Sequence, residues 1–340
     1  MNRFALFQLP IVAISEVMKM FHLFEITMLS MCSQKTKKWV KMFRVRREGR
    51  TVIVIISTKL GVSLFDPRNR RSTVYYYITS SPIPLPHKFV KIGNQNVPIS
   101  IEAKDSAYFM NLYYEDQIEG LKTVADYFCA LFEQDIDGIN ITSSSIPNGL
   151  VTVTEWVIQR QRSLRAFWIS PMDASDTVAR YLLDKSSILS QIISYMTVPP
   201  EFRIDFKYER QGYLEIHSGS WFTLENLLTV NCNELFLRGT LLTSADINSF
   251  LKRWMTSDLN FTEVRIYPKE RLNLDVLFSG IPAFTIPKKV YKSDRNEKVT
   301  ICNGIEIKRN DGMMMASILI HRTLPTNENG RFRMMIFKTT

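Results

Sequence analysis

The sequence predicts a mixed α+β and α/β protein: an N-terminal three-helix module, a β-rich stretch, then a βα array closed by a small antiparallel sheet. Three observations carry that expectation. Between Leu9 and Arg44, three helical segments follow one another with only short breaks. From about Leu150, strand-like and helix-like runs alternate every ~20–30 residues, the period of a stacked repeat. Beyond Leu272 the chain breaks into short apolar runs separated by Gly280-Ile-Pro282, Asp311-Gly312 and Asn329-Gly330, which read as turns.

In the first segment, Pro10 suits a first helical turn because its missing N–H would be unpaired there. Ile14, Val17, Met18 and Phe21 fall at i, i+3, i+4 and i+7, one apolar helical stripe. A second apolar helix is expected from about Phe24 to Cys32. Ser33 then stands as an N-cap ahead of the basic run Gln34–Lys41, which carries Trp39. Three helices in roughly 35 residues bury too little surface to be stable alone, so another surface must cover one apolar face. That is the physics of a docking module.

Composition sets the outer bounds. At 340 residues, with 45% hydrophobic and 22% charged side chains, the chain holds one large or two medium domains with a real core. Cys32, Cys129, Cys232 and Cys302 are scattered without a CxxC pair. The pattern argues for a reducing, intracellular compartment, cytoplasm or nucleus, and against a disulfide framework or zinc site. The apolar run Phe4–Ile14 behind Arg3 has the length of a secretory h-region, but Gln8 and Pro10 interrupt it and no small-x-small site follows. No window approaches the ~20 apolar residues of a membrane span, so no membrane partner is expected.

Most of the +10 net charge is local. Lys35, Lys37, Lys38, Lys41, Arg44, Arg46, Arg47 and Arg50 face Glu48 alone. Such a patch serves nuclear import or nucleic acid, or it is a solvated helix face running into a charged linker. The second reading is preferred, since no aromatic-rich sheet or recognition helix of a known type accompanies the patch. A basic nuclear or nucleic-acid-binding protein using residues 35–50 is the alternative function. Enzyme chemistry lacks a signature. The four histidines have no ligand spacing, and GxSxG, GxxxxGK[ST] and GxGxxG are all missing, so no cofactor and no catalytic residue is expected.

Along the chain, Thr51–Ser57 and Val62–Phe65 read as a hairpin, with Val74–Ile78 a third strand and Ser80–His87, rich in proline, an extended connection. A helix is expected near Leu121–Phe132 and a strand at Gly138–Ile141. Thr152-x-x-Glu155 has the form of a capping box. Strands are expected at Ala166–Ser170, Phe202–Phe206, Tyr213–Ile216, Glu234–Arg238 and Glu263–Tyr267, and helices at Asp173–Leu183 and Ser187–Met196. Thr223 and Thr243-x-x-Asp246 mark two further helix starts. Asp275–Phe278, Ile305–Ile307, Ala316–Ile320 and Arg333–Phe337 supply the closing strands. The period is leucine-rich-repeat-like, with parallel strands joined by right-handed crossovers.

Two families come into view from particular residues. Leu9-Pro10, the helical stripe, Glu25, Ser30 and the S-x-K-T-K run Ser33–Lys37 resemble an F-box of the nematode-expanded type over residues 4–44. His22 departs from the Asp or Pro common between the first two helices of such modules. The resemblance implies docking on a Skp-family adaptor, and through it a cullin, with Leu9, Pro10, Ile11, Ile14, Val17, Met18 and Leu23 as anchors. The run Ser220–Leu228, then Asn231-Cys232, then Asn248–Trp254 resembles the type 2 F-box-associated domain, most specifically over 212–267. It implies a substrate-recruiting domain over 119–340, with 45–118 a β-rich linking region, and hence a non-catalytic adaptor of a ubiquitin ligase. Trp221 reads either as an anchor for the unknown protein target or as core; Phe250 and Trp254 lie on a helical stripe and read as core.

Overall fold

The computed structural model describes residues 6–43, 50–66, 73–80, 83, 88–104, 107–143, 149–292, 298–321 and 331–339. They form two compact units, residues 1–164 and 165–340, each mixing helices with a mixed sheet.

In the first unit, three helices α1 (Ile11–Met20), α2 (Leu23–Cys32) and α3 (Gln34–Phe43) precede strands β1 (Thr51–Ile56), β2 (Leu60–Phe65), β3 (Val74–Thr79), β4 (Lys88–Ile92), β5 (Gln95–Lys104) and β6 (Ala107–Tyr113). Helix α4 (Gln117–Phe132), β7 (Gly138–Ile141) and α5 (Gly149–Arg160) complete it. The strands run in the order β7-β1-β2-β3-β6-β5-β4. β7 is parallel to β1 and β6 to β3; the other pairs are antiparallel.

Helix α4 is the organiser of this unit. Asp116 caps it, its side chain accepting the N–H groups of Ile118 and Glu119 at 2.9 and 3.1 Å. Leu121, Val124, Ala125 and Phe128 form a fully buried stripe, and α4 contacts β1, β2, β3 and β4. At its far end Glu133 takes the left-handed conformation (φ 52°), and Gln134 N–H returns to Cys129 C=O at 3.1 Å, which stops the helix.

The N-terminal helices complete their core on this scaffold, α3 against α4 and α2 against β4. Ile14, Met18, Leu23, Ile26, Met31 and Val40 are buried. The contact is polar as well as apolar. Thr27 Oγ1 shares a hydrogen bond with Tyr76 Oη, and Tyr127 Oη donates to Ser30 Oγ at 3.0 Å. Phe24 stacks flat on Tyr108, with ring centroids 4.2 Å apart. Burial pushes the Tyr127 phenol up to about 12, which keeps it a neutral donor.

The second unit runs β8 (Ala166–Ile169), α6 (Asp176–Ser186), β9 (Gln191–Ser194), β10 (Glu209–Ile216), α7 (Leu224–Thr229), β11 (Asn231–Thr240), α8 (Ser244–Thr256), β12 (Glu263–Pro268) and α9 (Leu274–Leu277). Four more strands follow: β13 (Ala283–Lys292), β14 (Lys298–Lys308), β15 (Met314–His321) and β16 (Arg331–Lys338). β8 to β12 are consecutive, parallel neighbours. The tail strands are antiparallel in the order β13-β14-β15-β16, and β16 pairs antiparallel with β12.

Register makes the core continuous. Phe167, Ile192, Leu214, Leu235 and Val264 sit level from β8 to β12, and Ile169, Ser194, Ile216, Leu237 and Ile266 form the next level. All ten are buried. Right-handed crossovers that always advance in one direction put every connecting helix on the same side of a sheet. The stripes they bring, including Leu182 and Leu183 of α6, Leu227 of α7 and Ile247, Phe250, Leu251 and Trp254 of α8, are buried. Both α7 and α8 begin with capping boxes: Thr223 with Asn226 and Thr243 with Asp246.

Four local expectations are corrected. Ser187–Met196 is not a helix; α6 ends at Ser186, and Gln191–Ser194 is strand β9. Its apolar run fits both periods, but Ile192 is buried and Ile188 is 46% exposed, which selects the strand period. Phe202–Phe206 lies outside any strand. Pro199-Pro200 removes two ladder donors, yet Phe202 and Phe206 are buried edge-on against Trp221. Thr152 and Glu155 lie inside α5, which already starts at Gly149. Residues Leu274–Leu277 form a helical turn because Asn273 Oδ1 accepts the N–H groups of Asp275 and Val276. The turn at 67–72, most of the proline-rich 81–87 segment and Asn329-Gly330 lie outside the described residues.

Gly212 marks the tightest point of the parallel ladder. The β10–β11 register shifts between Arg210 and Tyr213, and a Cβ on Gly212 would stand 1.9 Å from Ser190 O. That same carbonyl accepts the N–H of Tyr213 at 2.9 Å. Gly212→Ala is therefore expected to lower unfolding stability by roughly 3 kcal/mol through overpacking against backbone that cannot yield. Urea unfolding followed by circular dichroism checks this; an unchanged midpoint would refute it.

Candidate functional site

Two surfaces stand out, one in each unit. In the second unit, the side chains that alternate with the buried layers point away from the helices. The middle row, level across the ladder, is Trp168, Ile193, Glu215, Phe236, Arg265 and Arg333, from β8 through β12 to β16. Tyr213, Glu234 and Glu263 lie level on one side of it, and Arg238 is level with Tyr267 on the other. All of these are half-buried except Arg238, which is exposed.

The rings on this face form a chain. Tyr195 stacks on His217 with centroids 3.8 Å apart, His217 meets Phe236 at 5.2 Å, and Phe236 meets Tyr267 at 5.0 Å. Arg331 lies over the Tyr267 ring at 5.5 Å, a cation–π contact. Glu215 is engaged from both sides, by Tyr213 Oη and by His217 Nε2. Burial and the Glu215 carboxylate together push the Tyr213 phenol well above its ordinary value, so it stays a neutral donor.

The strongest electrostatic feature is Glu263. Arg265 grips it with two hydrogen bonds, Nε to Oε1 at 2.6 Å and Nη2 to Oε2 at 2.8 Å. Arg333, level with Arg265 on β16, donates Nε to the same Oε1 at 2.5 Å. Burial alone would push the Glu263 carboxyl up, but the two guanidiniums outweigh it and hold it below the usual carboxylate value.

The first unit offers α1. Of the residues expected as adaptor anchors, Ile14, Met18 and Leu23 are buried and hold the helices together. Leu9 and Val17 are half-buried, Pro10 is exposed, and Ile11 is 64% exposed. The structure adds Val12 and Met20, 73% and 80% exposed, which the sequence stripe did not nominate. In the basic run, Lys35 and Lys38 are exposed, whereas Lys37 Nζ sits 4.0 Å from the Tyr127 ring centroid. Burial, with Lys41 nearby, lowers the Lys37 pKa. Arg44, Arg46 and Arg47 lie outside the described residues.

Trp221 is buried, 2% exposed, packed edge-on against Phe202, Phe206 and Phe222. It is a core residue of the second unit, as are Phe250 and Trp254. The outward residues of the ladder were legible in principle. Aligning Tyr213–His217, Glu234–Arg238 and Glu263–Tyr267 on their alternating apolar positions places the whole outward face by register.

Among the described residues, no cluster of three His, Cys, Asp or Glu side chains could hold a metal ion, and no helix is long and apolar enough to cross a membrane. Residues 204–261 match a family model described as "F-box associated". The match covers β10, α7, β11 and α8, the centre of the parallel ladder. No curated protein and no solved structure matches the chain.

The Glu263 pairing has a pH signature. Its folded pKa is depressed, so its stabilisation is present above the unfolded value near 4.5 and is lost as pH falls through the lower folded value. Glu263→Gln is expected to unfold at lower urea than wild type at neutral pH. The gap between the two should close in the window below pH 4.5. A gap that stays constant on acidification would show that Glu263 does not act through this pairing.

Proposed function

We propose that this chain is the substrate-recognition adaptor of a Skp–cullin–F-box type ubiquitin ligase. The F-box associated match at 204–261 carries the reading, because it falls on the parallel ladder of the second unit. In the same chain, the three helices α1 to α3, whose sequence resembles an F-box, precede that unit and present exposed apolar side chains. Pro10, Ile11 and Val12 are exposed in succession at the start of α1, and apolar surface of that kind marks interaction sites.

On this reading α1 docks on a Skp-family adaptor in a helix-in-groove contact, burying on the order of 1,600 Å² with a few apolar anchors dominating. Ile14, Met18 and Leu23 act indirectly, by fixing the helices that present Pro10, Ile11 and Val12. The second unit, leucine-rich-repeat-like in its ladder of parallel strands, recruits a target protein. Catalysis is positional: holding a target lysine near charged ubiquitin raises its effective concentration, and the chain itself need supply no nucleophile. Two of its four cysteines, Cys129 and Cys232, are buried with thiols pushed up by that burial, a setting that suits packing and not ubiquitin transfer.

The test is capture of a purified Skp-family adaptor by the full chain at low and high salt. Ile11→Asp/Val12→Asp changes two exposed residues at the start of α1, where an acidic side chain suits the helix dipole, so folding should be untouched. Wild type is expected to capture the adaptor at both salts and the double variant to lose at least ~10-fold, about 1.4 kcal/mol. Ile14→Ala should instead lower the melting temperature. Failure of wild type to capture the adaptor would remove the docking role, and binding that collapses with salt would move attention to Lys35, Lys38 and their neighbours.

A further inference from the structure

We infer that the outward face of β11, β12 and β16 binds an extended, acidic segment of the partner protein, carboxylates on its arginines and an adjacent aromatic or aliphatic side chain on its rings. The inference rests on the reading of the second unit as the recruiting half. It begins with an electrostatic arrangement that is only half balanced. Arg265 and Arg333 stand directly opposite each other on neighbouring strands, a pairing of like charges that is destabilising by itself. Glu263 resolves it on one side by accepting from both, but one carboxylate between two guanidiniums leaves a net positive charge.

Two further guanidiniums share the face. Arg331 lies on the next outward position of β16, over Tyr267, and Arg238 is level with Tyr267 on β11. The carboxylates of the face lie towards its other side: Glu215 is held by Tyr213 and His217, and Glu234 is level with Glu263. The face is therefore polarised across the ladder, and a ligand with an acidic end has a preferred direction on it. Glu263 directs three N–H groups of the pair, of the five each guanidinium carries, and holds both forks in place at 36% and 34% exposure. Guanidiniums fixed before binding lose less side-chain entropy on meeting a carboxylate, which they recognise bidentately. Phe236 and Tyr267 lie beside them and offer the ring surface that anchors protein contacts. A nucleic-acid strand fits less well. Tyr195 and His217 already stack on one another, which takes up ring faces that successive bases would need.

The experiment measures fluorescence anisotropy of labelled short peptides with the purified full chain and no adaptor, so its result is independent of the adaptor-capture test. The probes are an Asp/Glu-rich peptide with a central Phe, the same peptide with Asn/Gln in place of Asp/Glu, and oligothymidine. The acidic peptide should bind at least ~10-fold more tightly than its amide counterpart, and Arg265→Gln/Arg333→Gln should remove that advantage. Lys35→Gln/Lys38→Gln, which lowers the net charge equally at exposed residues of the other unit, should leave it unchanged. Thermal melts followed by circular dichroism establish that each variant is folded, and Arg238→Gln, on an exposed side chain, repeats the test without disturbing Glu263. Equal affinity for the acidic and amide peptides would overturn the inference. So would equal losses in the arginine and lysine variants, or tighter binding of oligothymidine.

Discussion

The constraint on which the second unit depends is the parallel ladder itself. Alternation along each strand sends Leu214, Leu235 and Val264 one way and Glu215, Phe236 and Arg265 the other. Advancing always in one direction, right-handed crossovers put the connecting helices on the first face, where the stripes of α6, α7 and α8 are buried, and leave the second to rings and charged side chains. Such a face must then solve its own solvation, and this one does so with stacked rings and ion pairs. The tail strands extend the solution: β16 turns back antiparallel beside β12 and places Arg333 against Glu263. The same geometry that builds the core therefore builds the surface available for recognition.

The first unit answers a different constraint. Three ten-residue helices cannot enclose a core, and here they borrow one from α4 and β4. The cost of borrowing is buried polarity, met by Thr27 with Tyr76 and Ser30 with Tyr127. Paired hydroxyls fix the docking register more sharply than apolar contact would, since a shift of one helical position orphans both pairs. The helices are consequently held as part of their unit, with Ile11 and Val12 at the start of α1 left exposed.

Much of this was legible in the sequence, and the failures are physical. Thr223 and Thr243 announced α7 and α8 because a capping box is a local interaction needing only four residues. The three N-terminal helices and the β7 strand also followed from local pattern. Ser187–Met196 misled because five apolar residues in ten satisfy helix and strand periods alike, and only the neighbouring β8 and β10 decide between them. Phe202 and Phe206 show the reverse: they are core residues without a strand, chosen by Trp221 and not by the backbone. Trp221 itself sat at the edge of a cap, where sequence leaves burial open. The Glu263 cluster was illegible, since its second arginine lies 70 residues downstream and arrives only through the antiparallel return of β16.

That contrast bears on where recognition evolves on such a scaffold. The buried layers are apolar but for Ser194 and demand side chains of matched size, so they constrain sequence and carry no information about a partner. Outward positions are only half-buried and differ from strand to strand here: Tyr213, Glu234 and Glu263 in one row, Glu215, Phe236 and Arg265 in the next. A ladder of parallel strands is thus a rigid grid whose rows can be rewritten singly without altering the fold. Strong fixed pairs such as Arg265–Glu263–Arg333 then serve two ends at once: they offset like-charge repulsion across the sheet and hold donors in a set orientation before any partner arrives.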